Sequence, residues 1–80
     1  MGVYEAVKER IMELCERKKI TINRLATDSG VARSSVKNVL YGKSKNPGIV
    51  TLKMLCDGLN VSLVEFFDCP LFAELEQELY

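Results

Sequence analysis

The stretch that most constrains this chain is residues 22–41, INRLATDSGVARSSVKNVLY, which predicts two short helices joined by one tight turn. Thr21 precedes the first helix and is a favourable N-cap, because its hydroxyl can accept from an unpaired amide of the first turn. Gly30 stands where that helix must stop, a position that often needs a positive φ, which glycine adopts without steric cost. We therefore predict one helix over residues 22–29 and a second over residues 32–41.

The second predicted helix has one apolar face and one polar face. The apolar residues recur three to four positions apart, as on a single buried face. They are Ala32, Val36, Val39 and Leu40. At about 100° per residue, a polar and basic set projects from the opposite side of the helix. That set is Arg33, Ser34, Lys37, Asn38 and Tyr41. A helix with such a face, preceded by a helix and a glycine turn, is typical of helix-turn-helix motifs, which insert the second helix in the major groove of DNA.

The residues around this pair resemble a known family. The segments LATDSGV, GKSKNP and TLKMLCDGLNVSLVEFF, within residues 11–67, are similar to the Cro and phage-repressor (XRE) type of helix-turn-helix regulator. Each segment is weakly specific alone, and the three together are specific. The resemblance implies an all-α, five-helix repressor-like domain that binds double-stranded DNA through the second helix of the pair.

The resemblance also implies which residues read bases. In the family these positions fall at the start and on the outer middle of the second helix. Aligned at Gly30 and Val36, they correspond to Arg33, Ser34 and Asn38, and Lys37 lies beside them as a further candidate for base reading. The arginine fork suits O6 and N7 of guanine, and the asparagine amide suits N6 and N7 of adenine. For any one of these residues, the alternative is an exposed polar side chain without a role.

A second polar set is predicted to contact phosphates, which fixes the register of a protein on DNA without reading its sequence. It comprises Thr21, Asn23, Arg24, Tyr41, Lys43, Ser44, Lys45 and Asn46. Arg24 stands where the family often carries a glutamate, and it places a positive charge near the positive end of its helix. A phosphate contact compensates for that cost, and the alternative is a solvated arginine.

Charge is distributed unevenly along the chain, although the formal net charge is zero. Residues 17–53 hold nine basic side chains and one acidic side chain, a net charge of +8. Residues 1–16 carry a net charge of −2, and residues 54–80 carry six acidic and no basic side chains, a net charge of −6. Because the local field governs where a polyanion docks, the basic segment favours DNA as the partner.

Further helices are predicted on both sides of the helix pair. The spacing of apolar residues predicts them over residues 4–18, 49–59, 63–67 and 71–80. The apolar stripe of the first helix consists of Val3, Val7, Ile11, Leu14 and Cys15. We expect a helix-turn-helix DNA-binding domain over residues 1–68 and a short sixth helix within residues 69–80 that docks or dimerises.

Local signals also fix the start of the short fifth helix. Ser62 and Glu65 have the spacing of a capping box, and Val61 and Phe66 have the spacing of its hydrophobic staple. Asn60 precedes them in the place where the family usually has glycine, and asparagine tolerates the left-handed conformation expected there.

The predicted sixth helix is too short to be stable alone, so it must dock on another surface. One domain reads few base pairs, and regulators of this kind commonly bind as twofold dimers. We therefore expect a homodimer. Its candidate contact residues are Phe67, Leu71, Phe72, Leu75, Leu79 and Tyr80. The alternative is a tail folded back on its own first helix.

Other functional classes find little support in the sequence. Cys15, Cys56 and Cys69 lack metal-ligand spacing, the chain contains no histidine, and we expect buried reduced thiols in a cytoplasmic protein. No nucleophile has an evident base and no phosphate-binding glycine motif is present, so neither an enzyme nor a cofactor, metal or small-molecule ligand is expected. No apolar run approaches the roughly 20 residues that cross a bilayer, so no membrane partner is expected.

The sequence thus predicts a sequence-specific DNA-binding transcriptional regulator, and more specifically a repressor, that inserts the helix 32–41 in the major groove. The alternative is a protein-interaction module, such as an antitoxin-like partner that uses the same fold to bind another protein.

Overall fold

The computed structural model describes residues 1–42 and 46–78, which form five α-helices followed by one 3-10 turn. The helices are α1 Val3–Lys18, α2 Ile22–Ser29, α3 Arg33–Leu40, α4 Ile49–Leu59 and α5 Leu63–Phe67. The predicted all-α, five-helix fold is confirmed, and the predicted bounds of α2, α4 and α5 match the structure. The helix predicted over residues 32–41 is one residue shorter at each end.

One apolar core joins all five helices. Each helix contributes a side chain that is at most 1% exposed, and these are Ile11, Leu25, Val36, Leu55 and Phe66. Burying a side chain of this size stabilises a fold by about 1.5–3 kcal/mol, so the core fixes the mutual positions of the helices.

Two residues that were assigned to apolar faces lie outside this core. Val3, the first residue of α1, is 39% exposed, and Ala32, the N-cap residue of α3, is also exposed. Both stand at the start of a helix, on a side that no other element covers there. Periodicity alone gives the side of a helix and not how far along its length that side is covered.

The helix pair is fixed on the core by close contact between α2 and α4. A Cβ atom on Gly58 would lie 2.8 Å from the Cβ atom of Ser29 and 2.9 Å from its backbone nitrogen. Because a side chain cannot be accommodated at such distances, the glycine lets α4 touch the last residue of α2. The turn at Gly30, which has a φ of 74°, follows directly.

The start of α5 has the capping box that its sequence predicts. The Ser62 hydroxyl accepts a hydrogen bond from the Glu65 amide at 3.0 Å, and a Glu65 carboxylate oxygen accepts one from the Ser62 amide at 3.0 Å. Asn60, with a φ of 59°, is left-handed as predicted. Phe66 is fully buried and Val61 is partly buried against the core, in keeping with their predicted staple positions.

Arg10 holds the other end of α5, and no sequence pattern predicted this role. Its guanidinium is buried, with the side chain only 7% exposed. Nε donates to the Phe66 carbonyl at 2.8 Å, and Nη2 donates to the Glu65 carbonyl at 2.8 Å. These are carbonyls of the last helical turn, which lack intrahelical donors. Nη1 reaches the Glu13 carboxylate at 2.6 Å, and Glu13 also pairs with Arg17, at 3.6 Å.

The predicted ten-residue sixth helix is wrong beyond a single turn. Pro70–Phe72 forms a 3-10 turn, and residues 74–78 are not helical. The apolar spacing of this segment suits a helix, but an isolated helix of this length gains little stability in water. Docking of its aromatic and backbone groups on the domain decides its conformation instead.

The tail, residues 69–78, packs against α5 and against the N-terminus of its own chain. The Phe72 ring lies 4.8 Å from the Phe67 ring and 6.0 Å from the Phe66 ring, measured between centroids. Further along, the Glu76 amide donates to the Met1 carbonyl at 3.0 Å, and the Glu76 carboxylate accepts from the Met1 amino group at 3.0 Å. The tail therefore lies against the start of α1, as the alternative to a dimer contact described.

Candidate nucleic-acid interface

The candidate interface is built on the α2–turn–α3 unit, whose local geometry follows the sequence. The Thr21 hydroxyl accepts from the Arg24 amide at 3.1 Å, so Thr21 is the predicted N-cap of α2. The left-handed Gly30 ends α2, and its amide donates to the Ala26 carbonyl at 3.0 Å. The Val31 amide then donates to the Ser29 hydroxyl at 3.3 Å. These bonds set the angle at which α3 leaves the turn.

The outer face of α3 carries the predicted base-reading residues. All of them are exposed, while Val36, Val39 and Leu40 are buried beneath them. The exposed set is Arg33, Ser34, Lys37 and Asn38. At about 100° per residue these four positions share one face of the helix. The structure therefore brings them together on a surface that a DNA groove can reach.

Two shallow hollows flank this face. The first, of about 280 Å³, lies between α2 and α3, and its lining includes Asn23, Thr27 and Arg33. The second, of about 180 Å³, lies between α3 and the start of α4, and its lining includes Asn38 and Thr51. Each hollow places a predicted base-reading residue beside residues from a neighbouring element. Arg33 thus shares a concave wall with Asn23, a predicted phosphate contact.

The predicted phosphate contacts are placed less uniformly. Those in the described residues are exposed, and they are Thr21, Asn23, Arg24, Tyr41 and Asn46. Arg24 also has a partner within the domain that was not predicted from the sequence. Its Nε donates to both carboxylate oxygens of Asp28, at 3.0 and 2.9 Å. An exposed pair of this kind contributes little stability, so a phosphate can compete for the guanidinium.

Three of the predicted phosphate contacts, Lys43, Ser44 and Lys45, lie outside the described residues. Gly42, which precedes them, has a positive φ of 92°, a conformation that glycine adopts without steric cost.

A family model of the Cro/C1-type HTH DNA-binding domain matches residues 10–71. The chain belongs to this family. Among solved structures, the crystal structure of the prophage Lp1 protein 11 aligns with a TM-score of 0.79 and 39% sequence identity, over 94% of this chain and 100% of that chain.

Two curated relatives come from Bacillus subtilis (strain 168). The HTH-type transcriptional repressor RghR is 35% identical over 57 residues, which cover 71% of this chain and 42% of that protein. The HTH-type transcriptional regulator SlrR is 38% identical over 60 residues, which cover 74% of this chain and 40% of that protein. The chain therefore spans about two fifths of the length of these relatives.

In this Cro/C1-type domain, one contact to α3 was not predicted from the sequence. The Tyr4 hydroxyl, on the first turn of α1, donates to the Val39 carbonyl at 2.9 Å. The two residues are 35 positions apart, so no local periodicity links them. The pattern of α1 indicated only that Tyr4 begins a helix.

Some of the predicted dimer residues of this Cro/C1-type domain pack within the chain, and others stay exposed to solvent. Phe72 packs on Phe66 and Phe67 within the chain, and Leu71 and Leu75 are half-buried. Phe67 remains 37% exposed. Leu79 and Tyr80 lie outside the described residues.

The three thiols are free, and two of them are buried as predicted. Burial raises the pKa of the Cys15 thiol and of the Cys56 thiol, which favours their protonated form. Cys69 is only half-buried, because it lies in the connection between α5 and the 3-10 turn. Residues 1–42 and 46–78 contain no cluster of three or more metal-ligating side chains. In the same part of the chain, no helix has the length and apolar character that a bilayer crossing requires.

Proposed function

We propose that this domain is a sequence-specific DNA-binding regulator that represses transcription by inserting α3 in the major groove. The exposed face of α3 carries the proposal, because its polar residues stand together above a buried apolar stripe. The net charge of +8 over residues 17–53 supplies the field that attracts a polyanion to this face. The similarity to RghR, a transcriptional repressor, and to SlrR, a transcriptional regulator, supports the same role.

The proposal divides the interface by chemistry. Arg33 and Asn38 read base edges through bidentate hydrogen bonds, and Ser34 and Lys37 assist beside them. The predicted phosphate contacts fix the register of the protein on DNA. They are Thr21, Asn23, Arg24, Tyr41 and Asn46, together with Lys43, Ser44 and Lys45. We propose no catalytic step and no cofactor for the domain, and we propose that it acts in the cytoplasm, where a bacterial-type regulator meets its DNA.

Selection of bound sites from random DNA tests the central claim. We expect enrichment of one short motif, arranged as a palindrome if two copies bind together. Absence of enrichment, together with a stable protein partner, would instead identify a protein-interaction module. Salt dependence is the second measurement. About four to six phosphate contacts per subunit would give a steep fall of log affinity with log salt, and a flat line would exclude the phosphate surface.

We further propose that the protein binds DNA as a homodimer through α5 and the tail. The support is the apolar surface that remains there, since Val64 is 79% exposed and Phe67, three residues later on the same face, is 37% exposed. A twofold contact would place this patch on both subunits. The surrounding acidic residues 65, 68, 74, 76 and 78 would keep this end away from DNA.

Sedimentation equilibrium tests the dimer on the full chain, on Val64→Glu and on a fragment that ends at Asp68. We expect a full-length dimer and monomers for both variants. A full-length monomer at high micromolar concentration excludes the homodimer. A dimer that persists in both variants places the contact elsewhere on the domain.

A further inference from the structure

We propose that Tyr4 is a positioning residue for DNA recognition, because its hydroxyl fixes the last turn of α3 relative to α1. The inference rests on the proposed function, since it assumes that α3 reads bases. It adds a residue outside the helix-turn-helix, on a helix that has no proposed contact with DNA.

The contact is placed where α3 ends. Val39 is the second-last residue of α3, and the last four carbonyls of a helix have no intrahelical donor. The Tyr4 hydroxyl supplies a donor to the Val39 carbonyl at 2.9 Å. The Tyr4 hydroxyl oxygen also lies 3.9 Å from the point that a Cβ atom would occupy if Gly42 had one. At Gly42, which has a φ of 92°, the chain turns away from α3. Tyr4 thus bonds the last turn of α3 and lies close to the turn that follows it.

The helix that Tyr4 contacts has few other directional restraints. α3 has eight residues, its N-cap residue Ala32 makes no side-chain hydrogen bond, and its first turn contains no acidic residue. The buried stripe of α3 anchors it through apolar contacts, which are non-directional. A hydrogen bond adds a fixed distance and direction. Its loss would leave the helix buried and allow its last turn to shift.

The anchor is better restrained than the helix it holds. α1 has 16 residues, and Ala6 and Ile11 on its inner face are fully buried. The tyrosine is itself half-buried, and the Lys8 ammonium lies 5.9 Å from the centroid of its ring. A shift of the last turn of α3 would move Asn38, which directly precedes Val39. The Tyr4 bond therefore acts on a residue that we assign to base reading.

The variant Tyr4→Phe tests the inference, because it removes one oxygen atom and keeps the ring. The first measurement is amide hydrogen exchange on the full chain without DNA. The Tyr41 amide, which donates to the Lys37 carbonyl at 2.8 Å, closes the last turn of α3. We expect this amide to exchange about five- to tenfold faster in the variant, as loss of one hydrogen bond predicts.

The second measurement is the ratio of affinities for the selected site and for random DNA. We expect Tyr4→Phe to lower this ratio about five- to tenfold, with affinity for random DNA changed less than about twofold. Ser62→Ala is the matched control, because it removes one hydrogen bond from the cap of α5, away from α3. It should destabilise the domain and leave both the Tyr41 exchange and the affinity ratio unchanged.

The outcomes separate this inference from the proposed function. Unchanged Tyr41 exchange in Tyr4→Phe, with a preferred site still selected by the wild type, overturns the role of Tyr4 alone. Faster exchange with an unchanged affinity ratio also overturns it, because the hydroxyl then serves stability only. A wild type without any preferred site overturns the proposed function and, with it, the positioning role.

Discussion

Two short helices of this domain, α5 and α3, differ in whether the polar backbone groups at their ends have side-chain partners. α5 has five residues, with a reciprocal capping box at its start and the Arg10 guanidinium on the carbonyls of its last turn. α3 has eight residues, its N-cap residue Ala32 provides no side-chain cap, and Arg33 is in its first turn. A cation at that position opposes the helix dipole.

The difference indicates what each helix is for. The polar groups at the ends of α5 find partners inside the domain, whereas α3 turns its polar side chains outward and departs from the local rules of helix stability. Natural sequences make such departures mainly at functional sites and compensate for them elsewhere. The buried stripe of α3 and the Tyr4 hydroxyl provide that compensation here. The outer face of α3 is left for a partner.

The largest expected effect concerns the end of α5. Arg10→Ala should lower the free energy of unfolding by about 3 kcal/mol, because it leaves two carbonyls without their donor and opens space in the interior. Urea denaturation followed by circular dichroism measures this change. Arg17→Ala is the matched control, since Arg17 pairs with the same Glu13 from an exposed position and should cost less than about 1 kcal/mol. Equal losses in the two variants would show that Arg10 does not hold α5.

The next effect concerns the outer face of α3. Arg33→Ala and Asn38→Ala should each cost about 1–3 kcal/mol of affinity for the preferred site and relax the preference at one base pair. Lys45→Ala should weaken binding to all sequences similarly, as expected for a phosphate contact. Titrations of the selected site and of random DNA measure both quantities. If Arg33→Ala weakens the two equally, Arg33 contacts phosphate and not a base.

A smaller effect concerns the two N-caps. Ser62→Ala should lower the free energy of unfolding by about 1 kcal/mol, and Ala32→Ser should raise it by about 0.5–1 kcal/mol, because it adds the hydroxyl that α3 lacks. Thermal and urea unfolding of both variants measure the difference. A neutral Ala32→Ser would show that the first amides of α3 already have adequate partners, and the contrast with α5 would then be weaker.

The smallest effect concerns pH. The hydrogen bond that the exposed Glu65 carboxylate accepts from the Ser62 amide, with the Ser62 hydroxyl beside it, lowers the pKa of that carboxyl below its ordinary value of 4.5. The unfolded chain therefore binds more protons, so this contribution to stability is present above pH 4.5 and is lost as the pH falls through the folded pKa. Urea midpoints between neutral pH and about pH 3 should fall less steeply in Glu65→Gln than in the wild type. Parallel profiles would contradict the prediction.

The sequence predicted an element well when the residues that determine it are close together in the chain. Local signals, such as the Thr21 cap, the Gly30 turn and the box from Ser62 to Glu65, gave the bounds of α2 and α5 correctly. The exposure of the α3 outer face also followed from periodicity, while the DNA roles of its residues remain predictions. The tail was assigned wrongly because its apolar spacing fits a helix and its docking on Met1 depends on tertiary structure.

The contacts of Tyr4 and Arg10 had no local signature at all. They span 35 residues in the first case, and 55 and 56 in the second, so only the folded chain brings the partners together. A tyrosine or an arginine near the start of a helix is ordinary on a solvated surface. The sequence contains nothing that separates these two residues from such cases.

The bonds of Arg10 to α5 also set the order in which a growing chain can complete its fold. Until Glu65 and Phe66 have emerged from the ribosome, the guanidinium on α1 lacks the two carbonyls that accept its protons. Glu13 on the same helix still pairs with the guanidinium, but burial without these carbonyls would leave two of its donors unpaired, at a cost of about 1–3 kcal/mol each, against a stability of about 5–15 kcal/mol for a whole domain. The native core therefore closes only after α5 is synthesised. For the same reason, we expect loss of α5 to destabilise the whole domain and not one helix.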